Sequence, residues 1–104
     1  MNIQINTGNT IENSDRLQAY FSAELQKALS HFEDKITRVE VHFGDENGDK
    51  FDAKDKRCLI EARIANMKPV AVTNFSSSIE KAFDGALDKL KAVLKTTFEK
   101  QREY

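Results

Sequence analysis

Polar and apolar residues alternate from Asn2 to Asn6, with Ile3 and Ile5 set between Asn2, Gln4 and Asn6. Period-two alternation of this kind predicts a short, half-buried strand. Thr7, Gly8 and Asn9 turn the chain, and Asn13, Ser14 and Asp15 supply helix-capping side chains. Leu17, Phe21, Leu25, Ala28, Leu29 and Phe32 then recur at three- and four-residue spacing, which predicts one amphipathic helix ending near His31. Alternation returns twice more. Val39, Val41 and Phe43 are interleaved with Arg38, Glu40 and His42, and Cys58, Ile60, Ala62 and Ile64 with Leu59, Glu61 and Arg63, giving a second and a third strand with one buried face each. Asn66 to Pro69 makes a tight connection to a fourth strand, Val70 to Phe75, where Pro is tolerated at the entry. Ser76, Ser77 and Ser78 cap a long second helix whose apolar stripe is Ile79, Phe83, Ala86, Leu87, Leu90, Leu94 and Phe98.

The order is therefore β-α-β-β-β-α. A sheet with one apolar face and two amphipathic helices is most simply closed by laying both helices on that face, an α+β fold with a four-stranded sheet. The 104 residues suit one domain, 1–104, with a single core. Read as helical from Ser76 to Lys100, the last helix is about 37 Å long at ~1.5 Å per residue. A seven-residue strand spans only about 23 Å, so the helix is expected to overhang the sheet and carry Lys100 and Arg102 beyond it.

Composition adds bounds. The chain is 39 % hydrophobic with seven Phe, enough to build a core. Its one cysteine, Cys58, excludes an internal disulfide and a multi-thiolate metal site, and its apolar neighbours suggest a buried thiol in a reducing compartment. No apolar run approaches the ~18 residues of a membrane span, so no membrane partner is expected and the cytoplasm is the expected location. The net charge of −1 conceals an asymmetry: residues 1–55 hold 6 Lys/Arg against 11 Asp/Glu, and residues 56–104 hold 10 against 6. A basic half can meet an acidic polymer even when the whole chain is nearly neutral.

The acidic stretch 44–57, GDENGDKFDAKDKR, invites a metal or catalytic reading and supports neither. An EF-hand loop started at Asp45 finds Asn47 and Asp49 at its third and fifth positions, but Lys50 replaces the glycine at the sixth and Lys56 the glutamate at the twelfth. Acid–base catalysis needs carboxyls driven apart in pKa by burial, and only Phe51 is present to bury anything. The stretch reads as the long loop between the second and third strands. Its acids would be repelled by phosphate, so it is expected to point away from nucleic acid. His31 and His42 have no partner at metal-ligand spacing, and they read as structural or solvent-exposed. The four glycines are scattered, no nucleophile sits in a recognisable elbow, and no enzyme activity, cofactor, metal or small-molecule substrate is expected.

The cations of the last helix remain. On a wheel of 100° per residue, Lys91, Lys95 and Arg102 fall on one flank of the apolar stripe. Lys89 falls on the other, and Lys81 faces away. Glu80, Asp84 and Asp88 occupy the first half of the helix, while the second half is nearly free of acids until Glu99. Two readings stay open on these residues: an ordinary solvated helix face, or a surface for phosphates.

Two motifs decide between them by resemblance. Ala82-Phe-Asp-Gly-Ala-Leu-Asp-Lys-Leu90 is similar to the second-helix motif of the ribosome hibernation-promoting factors, also called ribosome-associated translation inhibitors or sigma-54 modulation proteins. Leu17, Tyr20, Lys27 and Phe32, followed by Ile36, Val39 and Val41, resemble the first helix and second strand of the same family. The resemblance covers nearly the whole chain. It implies a fold similar to double-stranded RNA-binding domains, which read shape and backbone. It also implies a partner, the small ribosomal subunit and its rRNA, bound in the mRNA/tRNA channel, with translation inhibited by occupancy and idle ribosomes protected. By position, Lys27 and Lys89 match basic residues of the family, and Lys91 and Lys95 lie in its basic helix segment. Arg63, Lys68 and Arg102 are further candidates for RNA contact. Ala92, Thr96 and Glu24 stand where members commonly carry Arg or Lys. The chain resembles a short form without a dimer-forming second domain, implying a monomer off the ribosome. The rival reading is a protein-interaction module that uses the acidic loop and the first helix to meet a basic partner.

Overall fold

The computed structural model describes residues 1–6, 15–45 and 56–102, the side chains of Asp45, Gln101 and Arg102 excepted. The alternating segments form strands β1 (Asn2–Asn6), β2 (Ile36–Asp45), β3 (Lys56–Ile64) and β4 (Val70–Ser76), and the two periodic segments form helices α1 (Asp15–Ala28) and α2 (Ile79–Arg102). The sheet runs in the order β1-β2-β3-β4. β1 is parallel to β2 and the other neighbours are antiparallel. This is the expected α+β architecture.

Pleating sends Val39, Val41, Phe43, Cys58, Ile60, Ala62, Ile64 and Val72 to one face, where they are buried with Phe21, Leu25 and Leu29 of the first helical region and with Ala82, Phe83, Ala86, Leu87, Leu90, Leu94 and Phe98 of α2. Both helices therefore cover the same face. Phe21 sits where three elements meet, with ring centroids 5.0 Å from Phe43 of β2 and 4.6 Å from Phe83 of α2. Further along, Phe32 stacks on Phe98 at 4.9 Å, and the Lys35 ammonium lies 4.8 Å from the centre of the Phe98 ring. Because residue numbers rise together along both helices at these contacts, α1 and α2 run in the same direction.

Element ends differ from the pattern in instructive ways. The first helix stops at Ala28 and tightens into a 3-10 turn over Ser30–Phe32. There the Ser30 hydroxyl donates to the Lys27 carbonyl at 3.2 Å, satisfying a helix-end acceptor. Ser78 alone caps α2, accepting the Lys81 N–H at 3.2 Å, whereas Ser76 closes β4. Asn66, in the β3–β4 connection, adopts a left-handed φ of 64°, which Asn tolerates better than most residues. Strands β2 and β3 extend into the acidic stretch, pairing Gly44 with Arg57 and Asp45 with Lys56. The ends of that stretch are thus strand rather than loop. Residues 46–55, on which the expectation of a loop turned away from nucleic acid falls, lie outside the described residues.

Gly85 sets how closely α2 approaches β4. A Cβ there would lie 2.1 Å from Asn74 Nδ2 and 2.7 Å from Asn74 Cγ. The same Asn74 amide donates to the Ala82 carbonyl at 3.3 Å, so it cannot swing away without losing that bond. Gly85→Ala is expected to lower stability by about 1 kcal/mol, because overpacking outweighs the helix-propensity gain. Asn74→Ala combined with Gly85→Ala should recover most of that loss. Urea denaturation of both variants and of Asn74→Ala checks this, and simple additivity would contradict it.

Candidate nucleic-acid interface

Helix periodicity places Glu24, Lys27 or Ala28, and His31 on successive turns of one stripe of the first helical region. The same spacing places Leu87 and Lys91 on one flank of α2. With the helices side by side, these six residues line a shared groove of about 370 Å³. Ala28 and the buried Leu87 form its apolar floor, and the charged side chains stand at its rim. Lys27 and Lys91, 64 positions apart in sequence, are thereby brought to one site. Lys95 stands one turn beyond Lys91 on α2 and is exposed.

Among the described residues, neither Lys27 nor Lys95 forms an ion pair. Lys91 Nζ lies 3.5 Å from Asp88 Oδ1, a pair whose side chains are 48 % and 77 % exposed, and solvent makes such a contact weak. These three cations are therefore little committed to intramolecular partners.

The other expected contacts lie elsewhere. Lys89 is on the opposite flank of α2, as the wheel predicts, and its ammonium donates to the Thr73 carbonyl of edge strand β4 at 2.9 Å. Arg63 is on the sheet face away from the helices, where its Nε donates to Glu61 Oε1 at 3.4 Å. Lys68 is exposed in the β3–β4 connection. The side chain of Arg102 lies outside the described residues. A single flat contact would not include all of these.

The sheet's open face is charged, with Arg38, Arg57 and Arg63 set against Glu40 and Glu61. Arg38 is paired across strands with Arg63, and Glu40 with Glu61, placing like charges opposite one another. Each of these two arginines is answered by the glutamate two residues along its own strand, Arg38 by Glu40 and Arg63 by Glu61, both at 3.4 Å. Arg38 also donates to Gln4 of β1. The amide of Asn6 lies 3.3 Å from His42 Nδ1 on the same face. Nearby, Phe75 is 47 % exposed and is paired with Arg57.

Toward the first turns of α2 the interhelical seam becomes acidic. The Asp84 carboxyl is held above its ordinary range by partial burial, then by the charges of Glu24, Asp88 and Glu80. Tyr20 is raised by burial and then by Asp84, Glu24 and Glu80. The seam between the helices is thus polarised along its length, acidic near the start of α2 and basic toward Lys91 and Lys95. Cys58 is buried, and burial pushes its thiol up to about 12, which leaves it unreactive near neutral pH. Among the described residues, no group of three or more His, Cys, Asp or Glu side chains is placed to hold a metal ion. Nor is any helix among them long and apolar enough to cross a membrane.

His31 and Glu24 are the groove residues that spacing alone had not joined to Lys91. The signal was present in the phases of the two helical wheels. Without the relative direction of the helices, those phases could not be matched.

Comparison with known proteins agrees with this fold. A family model described as sigma 54 modulation protein / S30EA ribosomal protein matches residues 3–102. Among solved structures, the N-terminal domain of Protein Y from Thermus thermophilus superposes with a TM-score of 0.73 at 22 % identity, covering 93 % of this chain and 99 % of that one. A ribosomal subunit interface protein from Coxiella burnetii gives a TM-score of 0.71 at 19 % identity, covering 95 % and 99 %. No curated protein sequence is a significant match.

The acidic end of the seam generates a pH prediction. A carboxyl whose folded-state pKa is raised costs stability when ionised. That cost is absent while both states are protonated, and it develops as pH rises through the unfolded and then the folded range. Asp84→Asn is accordingly expected to raise Tm by about 1–2 °C at neutral pH, the size expected for relief of like-charge neighbours on a helix. Near about pH 3, where aspartate is protonated in the unfolded chain, the gain should vanish. Thermal melts of both proteins at the two pH values check it.

Proposed function

The chain belongs to the sigma 54 modulation protein / S30EA ribosomal protein family, and from that premise we propose that it binds the ribosome. The proposed site is the mRNA/tRNA channel of the small subunit, where occupancy blocks translation and protects idle ribosomes in the cytoplasm. The mechanism is steric and involves no bond making or breaking. The observation that carries the assignment of a surface is the α1–α2 groove, where Lys27 and Lys91 converge and Lys95 continues the same flank. A phosphate backbone is held by such clustered, weakly compensated cations, which release its counterions on binding. An A-form helix is read by shape and backbone rather than by base edges, and that suits a rim of lysines on an apolar floor.

Lys89, Arg63 and Lys68 are secondary contacts in this reading, since each lies off the groove. Lys89 retains ammonium donors beyond the one given to Thr73. Its flank would meet RNA only if the partner wraps around α2. Arg63 is answered by Glu61, so its contribution is smaller.

Sedimentation with purified small subunits tests the proposal. At low salt the protein should travel with the subunit, and three phosphate contacts predict a loss of about 2–3 log units of affinity per decade of salt. Lys27→Glu combined with Lys91→Glu should weaken binding at least about tenfold and flatten that salt slope, whereas Arg63→Glu should change it little. A protein that remains at the top of the gradient at low salt contradicts the ribosome assignment. Full binding by the double charge reversal would keep the ribosome and remove the groove.

A further inference from the structure

The groove holds one imidazole, that of His31. His31 lies four positions after Lys27, and the 3-10 turn over Ser30–Phe32 keeps it on the same side of the chain. Its side chain is exposed and has no hydrogen-bond partner among the described residues. Every charged group that lines the groove can be named: Glu24 and Lys27 beside it on the first helical region, and Lys91 across from it on α2, with Asp88 paired to Lys91. No strand residue lines the groove. Lys35, the next cation along the chain, is directed over the Phe98 ring.

We propose that His31 is a further phosphate contact of this groove and makes its affinity for RNA proton-linked, strengthening as the pH falls. The inference rests on the reading that the groove takes phosphate, and adds its regulation. With a neutral imidazole, the two lysines and Glu24 give the lining a net charge of +1. Protonation raises it to +2, in a groove whose lining also includes Ala28 and Leu87. Imidazole is the side chain that changes charge within the physiological range. By linkage, a phosphate that prefers the imidazolium must also favour proton uptake by His31.

The test measures affinity for purified small subunits between about pH 5 and 8 at constant ionic strength, using the full chain, His31→Gln and His31→Lys. The wild-type chain should bind about fivefold tighter or more at the acidic end, a modest coupling between two sites. His31→Gln should lose most of that slope and stay at the weak limit, while His31→Lys should bind near the tight limit throughout. A flat wild-type profile, or a full slope in His31→Gln, overturns the inference and leaves the ribosome assignment standing. If no variant binds subunits, the assignment fails, and the groove is judged separately by NMR titration of both imidazoles in inorganic phosphate and in chloride at matched ionic strength. Phosphate should move the His31 titration midpoint to higher pH and leave that of His42, on the open sheet face, in place. Equal behaviour of the two histidines overturns the inference.

Discussion

Two aromatic contacts, Phe21 against Phe83 and Phe32 against Phe98, determine how the first helical region lies on α2. They fix the spacing between the helices and their shared direction together. Reversing one helix would bring Lys27 opposite the acidic first turns of α2 and leave Lys91 beside Tyr20. With the observed direction, the ends of like charge coincide. Acids gather near the start of α2, where Asp84 is held above its ordinary range, and cations gather near Lys27 and Lys91. Phe21 also contacts Phe43 of β2, so the charge pattern between the helices is tied to the core of the sheet.

The two large surfaces consequently differ in kind. On the open sheet face, Arg38 and Arg63 are each met by a glutamate on their own strand, and Arg57 adds a third cation. In the groove, an apolar floor is rimmed by lysines with weak partners or none among the described residues. At Lys27 and Lys95 a polyanion would displace counterions without breaking an ion pair among the described residues, and at Lys91 it would compete only with the exposed Asp88. The proposed assignment of the groove to RNA rests on this difference more than on the number of basic residues on either surface. Lys89 also has an intramolecular partner. Its ammonium covers a carbonyl of edge strand β4, and charge on a sheet edge discourages pairing with another chain.

Most of the fold was legible because period-two and three-to-four-residue patterns report burial directly. The buried positions Val39, Val41, Cys58, Ile60, Phe83, Leu90 and Leu94 all belong to those patterns. Ends were less legible. Ser76 looks like a cap but is drawn into β4 by pairing with Lys56. Gly44 and Asp45 look like loop but are held in the β2–β3 ladder. The wheel reading separated Lys89 from Lys91, as the structure does. His31 was assigned to a helix end and left there, because its meeting with Lys91 depends on a contact between residues 60 positions apart. The resemblance to a family supplied a partner, and packing supplied the surface that could meet it.

The most direct measurement of the central claim is a high-resolution density map of the chain bound to the small ribosomal subunit. The account predicts the α1–α2 groove turned toward rRNA, with the ammonium groups of Lys27 and Lys91 at hydrogen-bonding distance, about 3 Å, from phosphate oxygens, and Arg38 and Arg63 of the open sheet face still paired with Glu40 and Glu61. A map with the open sheet face against RNA and the groove turned to solvent would contradict it.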